Sequence, residues 1–239
     1  MDIAKIAALL DPFLEQSLPP SMLDQISIYI DLLLRWNARI NLTAIRRPEE
    51  IVTRHFGESF FLARHLFPNP CRPERNQVTR EADDVAESKD PYSLLPRVLD
   101  IGSGAGFPAI PLKMWAPQIH LTMVESNHKK AAFLREVARA LILTDVNVIT
   151  DRAEILAARP DHPLAEVVTL RAVERFETIL PIAVTFLTPQ ATLALLVGSA
   201  QIPRLTSLTI LKWQPPISIP QSHTRVLSIG TRLRSGTIH

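Results

Sequence analysis

The sequence has few cysteines and glycines, and it contains no long apolar run. Cys71 is the single cysteine in 239 residues, which excludes an internal disulfide framework and a cysteine-based zinc site and suits a reducing compartment. No apolar segment reaches the roughly 18–20 residues that a membrane-spanning helix needs. The first 16 residues, with an acid at position 2 and a proline at position 12, predict an amphipathic helix rather than a signal peptide. These absences predict a soluble, cytoplasmic protein.

Acidic residues are also missing from the C-terminal part of the chain. None follows Glu177, although the formal net charge of the whole chain is only +2. A basic end can face nucleic acid, and a solvated tail is the alternative that charge alone leaves open. The basic residues of this end are Arg204, Lys212, Arg225, Arg232 and Arg234.

Composition divides the chain into three regions. Residues 1–66 have apolar residues at helical spacing, and Ser21 and Asp24 resemble the start of a capping box. Residues 67–96 combine several prolines with many charges and little apolar periodicity, which predicts a flexible linker or surface insertion. Residues 97–239 form the third region, the predicted ligand-binding domain.

From residue 97 onward, apolar strands alternate with amphipathic helices. Helices are predicted over residues 108–115, 127–142 and 174–187. The alternation predicts an α/β fold with a doubly wound, Rossmann-like parallel sheet and helices on both faces. The last two strands are joined by a proline-rich segment, which predicts an antiparallel hairpin at the sheet edge. The predicted strands are 97–101, 119–124, 146–150, 166–171, 191–197, 206–212 and 223–229.

Three of the seven glycines fall in the segment VLDIGSGAGFP, at the end of the first predicted strand. Gly102 and Gly104 would let backbone N–H groups approach a ligand, and Gly106 would permit close helix packing. Taken alone, G-x-G-x-G fits a structural turn as well as a cofactor site. The six-residue spacing of dinucleotide sites is absent, and no G-K-[ST] follows, which excludes a P-loop.

The ends of the next two strands add residues to this site. Glu125 ends the second strand, where a carboxylate can accept both hydroxyls of a ribose; an exposed helix cap is the alternative. Arg152 and Ala153 follow the third strand and would lie near an adenine. An acid after a D-x-G-x-G-x-G loop fits S-adenosyl-L-methionine better than a nicotinamide cofactor. The predicted cofactor-binding residues are Asp100, Gly102, Ser103, Gly104, Gly106, Phe107, Glu125, Arg152, Ala153, Glu154 and Arg171.

Five segments, in one order and spacing, resemble the bacterial small-subunit ribosomal RNA guanine-N7 methyltransferase family, RsmG, also called GidB. They are RWNARINLTAIRRPEEIVTRHFGES, VLDIGSGAGFPAIPL, VESNHKKAAFLREVA, DRAE and LRAV, and the resemblance covers residues 20–66 and 97–200. It implies a class I methyltransferase fold that is preceded by a small helical region. It also implies methyl transfer from S-adenosyl-L-methionine to N7 of a guanine in the decoding-region loop of 16S ribosomal RNA. The expected partner is that RNA or the small ribosomal subunit, with no membrane, no metal and a monomeric state.

The residue types that are missing agree with attack by guanine N7. This nitrogen has its own lone pair and needs neither a covalent nucleophile nor a strong base. Pyrimidine C5 methylation would need an activated cysteine, but Cys71 lies in the predicted linker. Methylation of an exocyclic amine would call for an Asn/Asp-Pro-Pro-aromatic motif where this chain has LRAV. Catalysis would then be mainly the positioning of an in-line attack.

Two residues are the candidates for catalysis. Arg171, at the end of the fourth strand, could bind an RNA phosphate or the guanine O6 face; a salt bridge to Glu174 or Glu125 is the structural alternative. Asn41, in the NLT segment, would reach the same crevice from the N-terminal region, with a helix cap as its alternative. The predicted RNA-binding residues are Arg35, Arg39, Asn41, Thr43, Arg54 and Arg171.

Three positions depart from the pattern of this family. Glu58 replaces an aspartate in a His-x-x-Asp-Ser segment, and with His55 it is expected to form a buried hydrogen-bonded brace. Ala109 replaces a glycine, and Val197 replaces a lysine whose charge Arg204 would have to supply. Two alternatives stay open. One is a methyltransferase of the same fold for another RNA, a small molecule or a protein, and the other is a non-catalytic nucleotide-binding module.

Overall fold

The computed structural model describes residues 1–68, 95–171, 176–205 and 208–233, and their central element is a mixed sheet. The strands are β1 (Arg97–Ile101), β2 (His120–Val124), β3 (Val146–Ile149), β4 (Ala165–Arg171), β5 (Leu187–Gly198), β6 (Leu211–Trp213), β7 (Ile217–Ser218) and β8 (Arg225–Arg232). Their order is β3-β2-β1-β4-β5-β8-β6, and β7 pairs with β8 beside this path. The predicted α/β class with a Rossmann-like sheet is confirmed.

Strands β1 to β5 are parallel, and the sheet is covered on both faces. In the pairing of β1 with β2 and β4, Val98 lies opposite Leu121 and Val167. Because successive side chains of a strand point to opposite faces, Val98 and its neighbour Leu99 belong to two different hydrophobic clusters. Burial on both faces explains why these strands are continuous apolar runs in the sequence.

The last part of the chain adds antiparallel strands to this sheet. The antiparallel pairing predicted for the last two strands is present between β6, which has only three residues, and β8. Strand β8 also pairs with β5, so it lies between β5 and β6, and the short β7 lies in the proline-rich connection. The strand predicted over 206–212 is wrong in extent, because Leu208 bonds back to the Leu205 carbonyl and residues 209–210 form a turn.

The N-terminal region is mainly helical, with loops at residues 14–19 and 38–47. Its helices are α1 (Ile3–Leu10), α2 (Pro20–Asn37), α3 (Pro48–Glu50) and α4 (Glu58–Leu66), and a π-helical segment, Ile51–Gly57, connects the last two. The capping box expected at Ser21 and Asp24 is wrong. Helix α2 begins at Pro20, and its N-cap, Pro19, has no side-chain hydrogen bond. A proline in the first helical position has a suitable φ and no N–H to leave unpaired.

These N-terminal helices pack on the sheet as part of one core. Phe13, Tyr29 and Phe56 belong to the same buried cluster as Ile110 and Phe133 of the α/β region. The helices of that region are α5 (Ala109–Trp115), α6 (His128–Ala140), α7 (Ala153–Ala157), α8 (Phe176–Thr185) and α9 (Ile202–Leu205). The N-terminal helices are therefore held beside the edge of the sheet where the predicted site lies.

Some sequence predictions fall on residues outside the described ranges. Most of the predicted linker, together with Cys71, lies there, as do Glu174 and Arg234. Among the helices that the structure describes, none has both the length and the apolar character needed to cross a membrane.

Candidate cofactor and substrate site

The glycine loop between β1 and α5 has a backbone that glycine adopts readily. Gly102, Gly104 and Gly106 have φ values of +70°, +53° and +84°, which L-residues rarely adopt. The Gly102 N–H donates to the Val124 carbonyl at 2.8 Å, so the loop is tied to the end of β2. A Cβ at Gly102 would meet no atom within 4 Å. The space above Gly102 is therefore open, as a ligand site requires.

Gly106, in contrast, is crowded by a residue of the N-terminal region. A Cβ there would overlap the Tyr29 hydroxyl and lie 2.7 Å from Ile110 Cδ1. The Tyr29 hydroxyl donates to the Ala105 carbonyl at 2.5 Å, and its ring stacks on Phe107 with centroids 5.1 Å apart. Burial, and then the charge of Asp100, raise the pKa of Tyr29, which keeps its phenol protonated as a donor. Helix α2 therefore shapes the glycine loop directly.

Asp100, the fourth residue of β1, has an unused acceptor inside the site. It is 1% exposed, and Thr169 Oγ1 donates to its Oδ1 at 2.6 Å. Its Oδ2 is buried and has no hydrogen-bond partner among the described residues. Burial raises the pKa of Asp100 to about 6, although the nearby hydroxyl groups of Ser103 and Thr169 oppose this shift. A ligand that brings a donor or a positive charge to Oδ2 would satisfy this group.

Glu125 connects the glycine loop to the segment that follows β2. Its Oε2 accepts from the Gly104 N–H and its Oε1 from the Asn127 N–H, each at 2.8 Å. Glu125 is only 7% exposed, so the alternative that it is an exposed helix cap is wrong. Each carboxylate oxygen has a second lone pair, so Glu125 can still accept from two hydroxyl groups of a ligand.

The residues predicted near the adenine follow β3, which lies beside β2. Arg152 is exposed at the N-cap of α7, and its N–H donates to Asp151 Oδ1 at 2.8 Å. Asp151 is also paired with Arg159. Ala153 is buried, whereas Glu154 is exposed. The parallel strands thus bring Asp100, the glycine loop, Glu125 and this turn to one edge of the sheet.

Arg171 lies at the end of β4, on the same edge, and it contacts the N-terminal region. Its Nη2 donates to the Arg54 carbonyl at 2.5 Å and lies 3.3 Å from Glu58 Oε2. The salt bridge to Glu125 that the sequence allowed is wrong, because among the described residues Arg171 pairs with Glu58 instead. The structural partner of Arg171 is Glu58, whose other oxygen lies 2.6 Å from Arg225 Nη2.

The arginine cluster, defined here as Arg54, Arg171 and Arg225 around Glu58, has an excess of positive charge. Burial raises the pKa of Glu58, and the three arginines oppose this shift. Burial lowers the pKa of Arg171 to about 10, so this side chain stays charged at neutral pH. Arg171 Nη1 is buried and has no hydrogen-bond partner among the described residues. Arg171 therefore has an unused donor for an additional acceptor.

His55 supports this site as a neutral ring. Its Nε2 is hydrogen-bonded to Thr43 Oγ1 at 2.8 Å, and the ring stacks on Phe107 with centroids 4.7 Å apart. Burial lowers the pKa of His55 to about 2, and Arg171 and Arg54 contribute to the shift. At neutral pH His55 is therefore uncharged, which fits a brace between the NLT loop and the glycine loop. It lies in the π-helical segment, a rare geometry that often marks functional sites.

The NLT loop is held by a residue that precedes it. Asn37 Oδ1 accepts from the N–H groups of Leu42 and Thr43 at 2.9 and 3.1 Å, and its Nδ2 donates to the Thr43 carbonyl at 3.0 Å. Asn41 is exposed within this fixed loop. The helix-cap alternative for Asn41 is wrong, because α2 ends at Asn37 and Ala38 is its C-cap.

The predicted RNA-binding residues divide into two groups. Thr43 and Arg54 are joined to the site, the first through His55 and the second through its carbonyl to Arg171. Arg35 and Arg39 are exposed at and just beyond the end of α2. Val197 is 6% exposed in β5, and Arg204 forms an exposed ion pair with Glu177 at 3.4 Å.

Two residues of the site were not predicted from the sequence. Tyr29 lies on the apolar face of α2, and its only sequence signal is the third glycine of the loop, which makes room for it. Arg225 was noted only as part of a basic end. Antiparallel pairing with Gly198 brings Arg225 to the carboxyl end of β5. This position cannot be predicted without knowing the strand order.

A glycine loop after β1, an acid at the end of β2 and an antiparallel strand inserted beside β5 define a Rossmann-like methyltransferase fold. A solved structure shares this fold: a Klebsiella pneumoniae protein proposed to be an O-methyltransferase. The TM-score is 0.59 with 13% identity, over 86% of this chain and 90% of that one. At this identity the likeness concerns the fold alone.

The family follows from the sequence comparisons. Residues 22–70 and 83–209 match the family model described as rRNA small subunit methyltransferase G. Proteins named ribosomal RNA small subunit methyltransferase G are 40% identical over 158 residues in Roseiflexus castenholzii, 34% over 164 in Bacillus subtilis and 34% over 197 in Xylella fastidiosa. These alignments cover 66%, 68% and 81% of this chain, and 57%, 59% and 78% of the relatives. The chain belongs to the rRNA small subunit methyltransferase G family.

Proposed function

We propose that this protein transfers a methyl group from S-adenosyl-L-methionine to N7 of a guanine in 16S ribosomal RNA. The proposal rests on one juxtaposition within a chain of this family. The glycine loop, with its open position at Gly102, lies on the same sheet edge as Arg171 and the arginine cluster. The glycine loop suits a small cofactor, and the arginine cluster suits a polyanion.

The residues of the loop fit S-adenosyl-L-methionine, which supplies an electrophilic methyl group when bound. The ammonium group of its methionine part would donate to Asp100 Oδ2, which has no hydrogen-bond partner among the described residues. Glu125 retains acceptor capacity for the ribose hydroxyls, and Gly102 leaves space that a side chain would fill. The turn at Arg152 and Ala153 would bound the adenine.

The chemistry of the other half suits a nucleophile that needs no base. Guanine N7 attacks through its own lone pair, and His55, with its pKa lowered to about 2, is poorly suited to remove a proton. Because N7 must stay free, Arg171 would contact the guanine O6 or a phosphate rather than O6 and N7 together. Asn41 would position the base from the NLT loop. Catalysis would come from orientation of the in-line attack.

The exposed basic residues of the N-terminal region would extend this contact along the RNA. Arg35, Arg39 and Arg54 are exposed, and phosphate contacts of this kind fix the position of a nucleic acid rather than its sequence. We propose the small ribosomal subunit or its RNA as the partner, in the cytoplasm, with a monomeric enzyme. No group of three or more potential metal ligands occurs among the described residues, and the proposed reaction uses none.

The test is methyl transfer from tritiated S-adenosyl-L-methionine to small subunits isolated from a strain that lacks the endogenous activity. We expect label in 16S RNA at a guanine whose methylated form is cleaved after borohydride and aniline treatment, a reaction specific for N7-methylguanine. Label in protein or a small molecule would favour the alternative substrates. Cofactor binding without any transfer would favour the non-catalytic module and overturn the proposal.

A further inference from the structure

Glu58 contacts two arginines with its two different oxygens. Its Oε2 lies 3.3 Å from Arg171 Nη2, and its Oε1 lies 2.6 Å from Arg225 Nη2. Glu58 is the first residue of α4, Arg171 ends β4 and Arg225 begins β8. One carboxylate thus connects the N-terminal region with two strands that are not neighbours, since β5 lies between them.

Stability alone is a weak explanation for this arrangement. The Glu58 side chain is only 2% exposed, and its burial raises the pKa of the carboxyl against the influence of the arginines. Buried ion pairs often contribute little net stability, because the loss of hydration offsets the attraction between the charges. A carboxylate at this position is better explained by what it does to the two guanidinium groups.

The charges around Glu58 do not balance. Arg54, Arg171 and Arg225 are three cations, and the negative groups that face Arg171 are Glu58 and Asp100. Burial raises the pKa of Asp100 to about 6, and His55 is neutral. The excess is therefore positive even when both carboxyl groups are ionised, and Arg171 Nη1 still has no partner among the described residues. The cluster is one anion short.

We propose that Glu58 is a positioning residue that holds Arg171 and Arg225 as one receptor for an RNA phosphodiester next to the target guanine. The inference rests on the proposed function and names the part of the substrate that this cluster binds. Glu58 lies within ion-pair distance of one Nη atom of each arginine, and Arg171 Nη1, which has no hydrogen-bond partner among the described residues, would donate to the phosphate. Arg171 is 12% and Arg225 26% exposed, so the receptor opens on the Arg225 side.

The test compares E58Q and E58D with wild type, and E49Q is the matched control. Glu49 is an exposed carboxylate of the same N-terminal region, bonded to Lys5 at 2.6 Å. Three quantities are measured: the Kd for S-adenosyl-L-methionine, the Kd for an RNA hairpin of the target loop at several salt concentrations, and kcat on small subunits.

For E58Q we expect an unchanged cofactor Kd and a kcat at least about 10-fold lower, since small misplacements of the reacting groups are costly. Hairpin binding at low salt should be kept or tightened, because one negative charge is removed, while binding becomes steeper in salt. E58D keeps the charge and introduces the aspartate of the family pattern, so it should keep more of the kcat than E58Q does. E49Q should match wild type in kcat.

Three outcomes overturn the inference, and they are distinguishable. If E58Q loses thermal stability but keeps its kcat per folded molecule and its salt dependence, Glu58 is merely structural and the proposed function stands. If E58Q does not fold, E58D decides: a kcat at least about 10-fold below wild type, despite the retained carboxylate, overturns the inference. If the wild-type protein binds the cofactor and labels no RNA, the proposed function fails and the inference fails with it.

Discussion

The Tyr29 hydroxyl and the Ala105 carbonyl are joined by a hydrogen bond of 2.5 Å, although 76 positions separate the two residues. Ala105 lies inside the glycine loop, and Tyr29 belongs to α2 of the N-terminal region. The same region presents Asn41 and the exposed arginines. The shape of the proposed cofactor loop therefore depends on the helices that we expect to contact RNA.

Removing this hydroxyl should weaken cofactor binding. Y29F leaves the buried Ala105 carbonyl without a donor, which should lower the free energy of unfolding by about 1–3 kcal/mol. Because the loop is then less well held, cofactor affinity should fall roughly 3- to 10-fold. Calorimetry and urea denaturation measure the two effects. T53V, which removes a hydroxyl bonded to the Glu49 carbonyl within the same region, is the control and should leave the cofactor Kd unchanged. An equal Kd in Y29F and T53V would contradict a role in shaping the loop.

Glu125 should dominate cofactor affinity. E125A removes the acceptor for the proposed ribose hydroxyls, and one hydrogen bond to a charged group is worth about 1.5–3 kcal/mol, so affinity should fall by at least roughly 10- to 100-fold. It also frees the Gly104 N–H, so the loop itself is less ordered. E125Q should be intermediate, and E136A, on α6, should bind normally. Calorimetry that shows wild-type affinity in E125A would remove Glu125 from the site.

Arg171 should matter for transfer rather than for cofactor binding. R171A is expected to lower the methylation rate by about 100-fold, since an ångström of misplacement costs that much, while S-adenosyl-L-methionine still binds. R171K should recover only part of the rate, because an ammonium lacks the planar fork. R171A also loses the bond to the Arg54 carbonyl, so the melting temperature of both variants is measured alongside. Activity that tracks stability alone would leave Arg171 a structural residue.

Burial of neutral His55 should make the protein less stable in acid. In the unfolded chain its pKa is near 6.5, and in the folded protein burial lowers it to about 2. Below pH 6.5 the unfolded state binds a proton that the folded state does not, so stability falls as the pH falls. Asp100 has the opposite effect on the pH dependence of stability. Because its pKa is raised in the folded protein, stability falls as the pH rises from about 4 to 6.

A comparison with H55Q isolates the histidine, because Asp100 is present in both proteins. Glutamine does not titrate and can still bond Thr43. Between pH 7.5 and 5.5 wild type should lose about 1.4 kcal/mol of unfolding free energy relative to H55Q. Urea denaturation at the two pH values gives this difference, and parallel curves for the two proteins would show that His55 is protonated in the folded state.

The sequence predicted the elements of this fold better than their contacts. The glycine loop, Glu125 and Arg171 were found because each follows an apolar strand, and parallel strands bring their carboxyl ends together. The bond between Arg171 and Arg54, across 117 positions, has no comparable local pattern. Arg225 was missed for a related reason, since its place depends on β8 entering between β5 and β6. Side-chain pairs between distant segments require the assembled core.

The position of β8 has a consequence for synthesis of the protein. Strand β6 is synthesised before β8. Among the described residues β6 pairs only with β8, so β6 cannot join the sheet until β8 has left the ribosome. Folding during translation proceeds from the N-terminus. A nascent chain that has not yet been extended to Arg225 can therefore have a formed glycine loop and still lack one of the three arginines of the arginine cluster. The loop proposed to hold the cofactor would therefore form before the site proposed to bind RNA is complete.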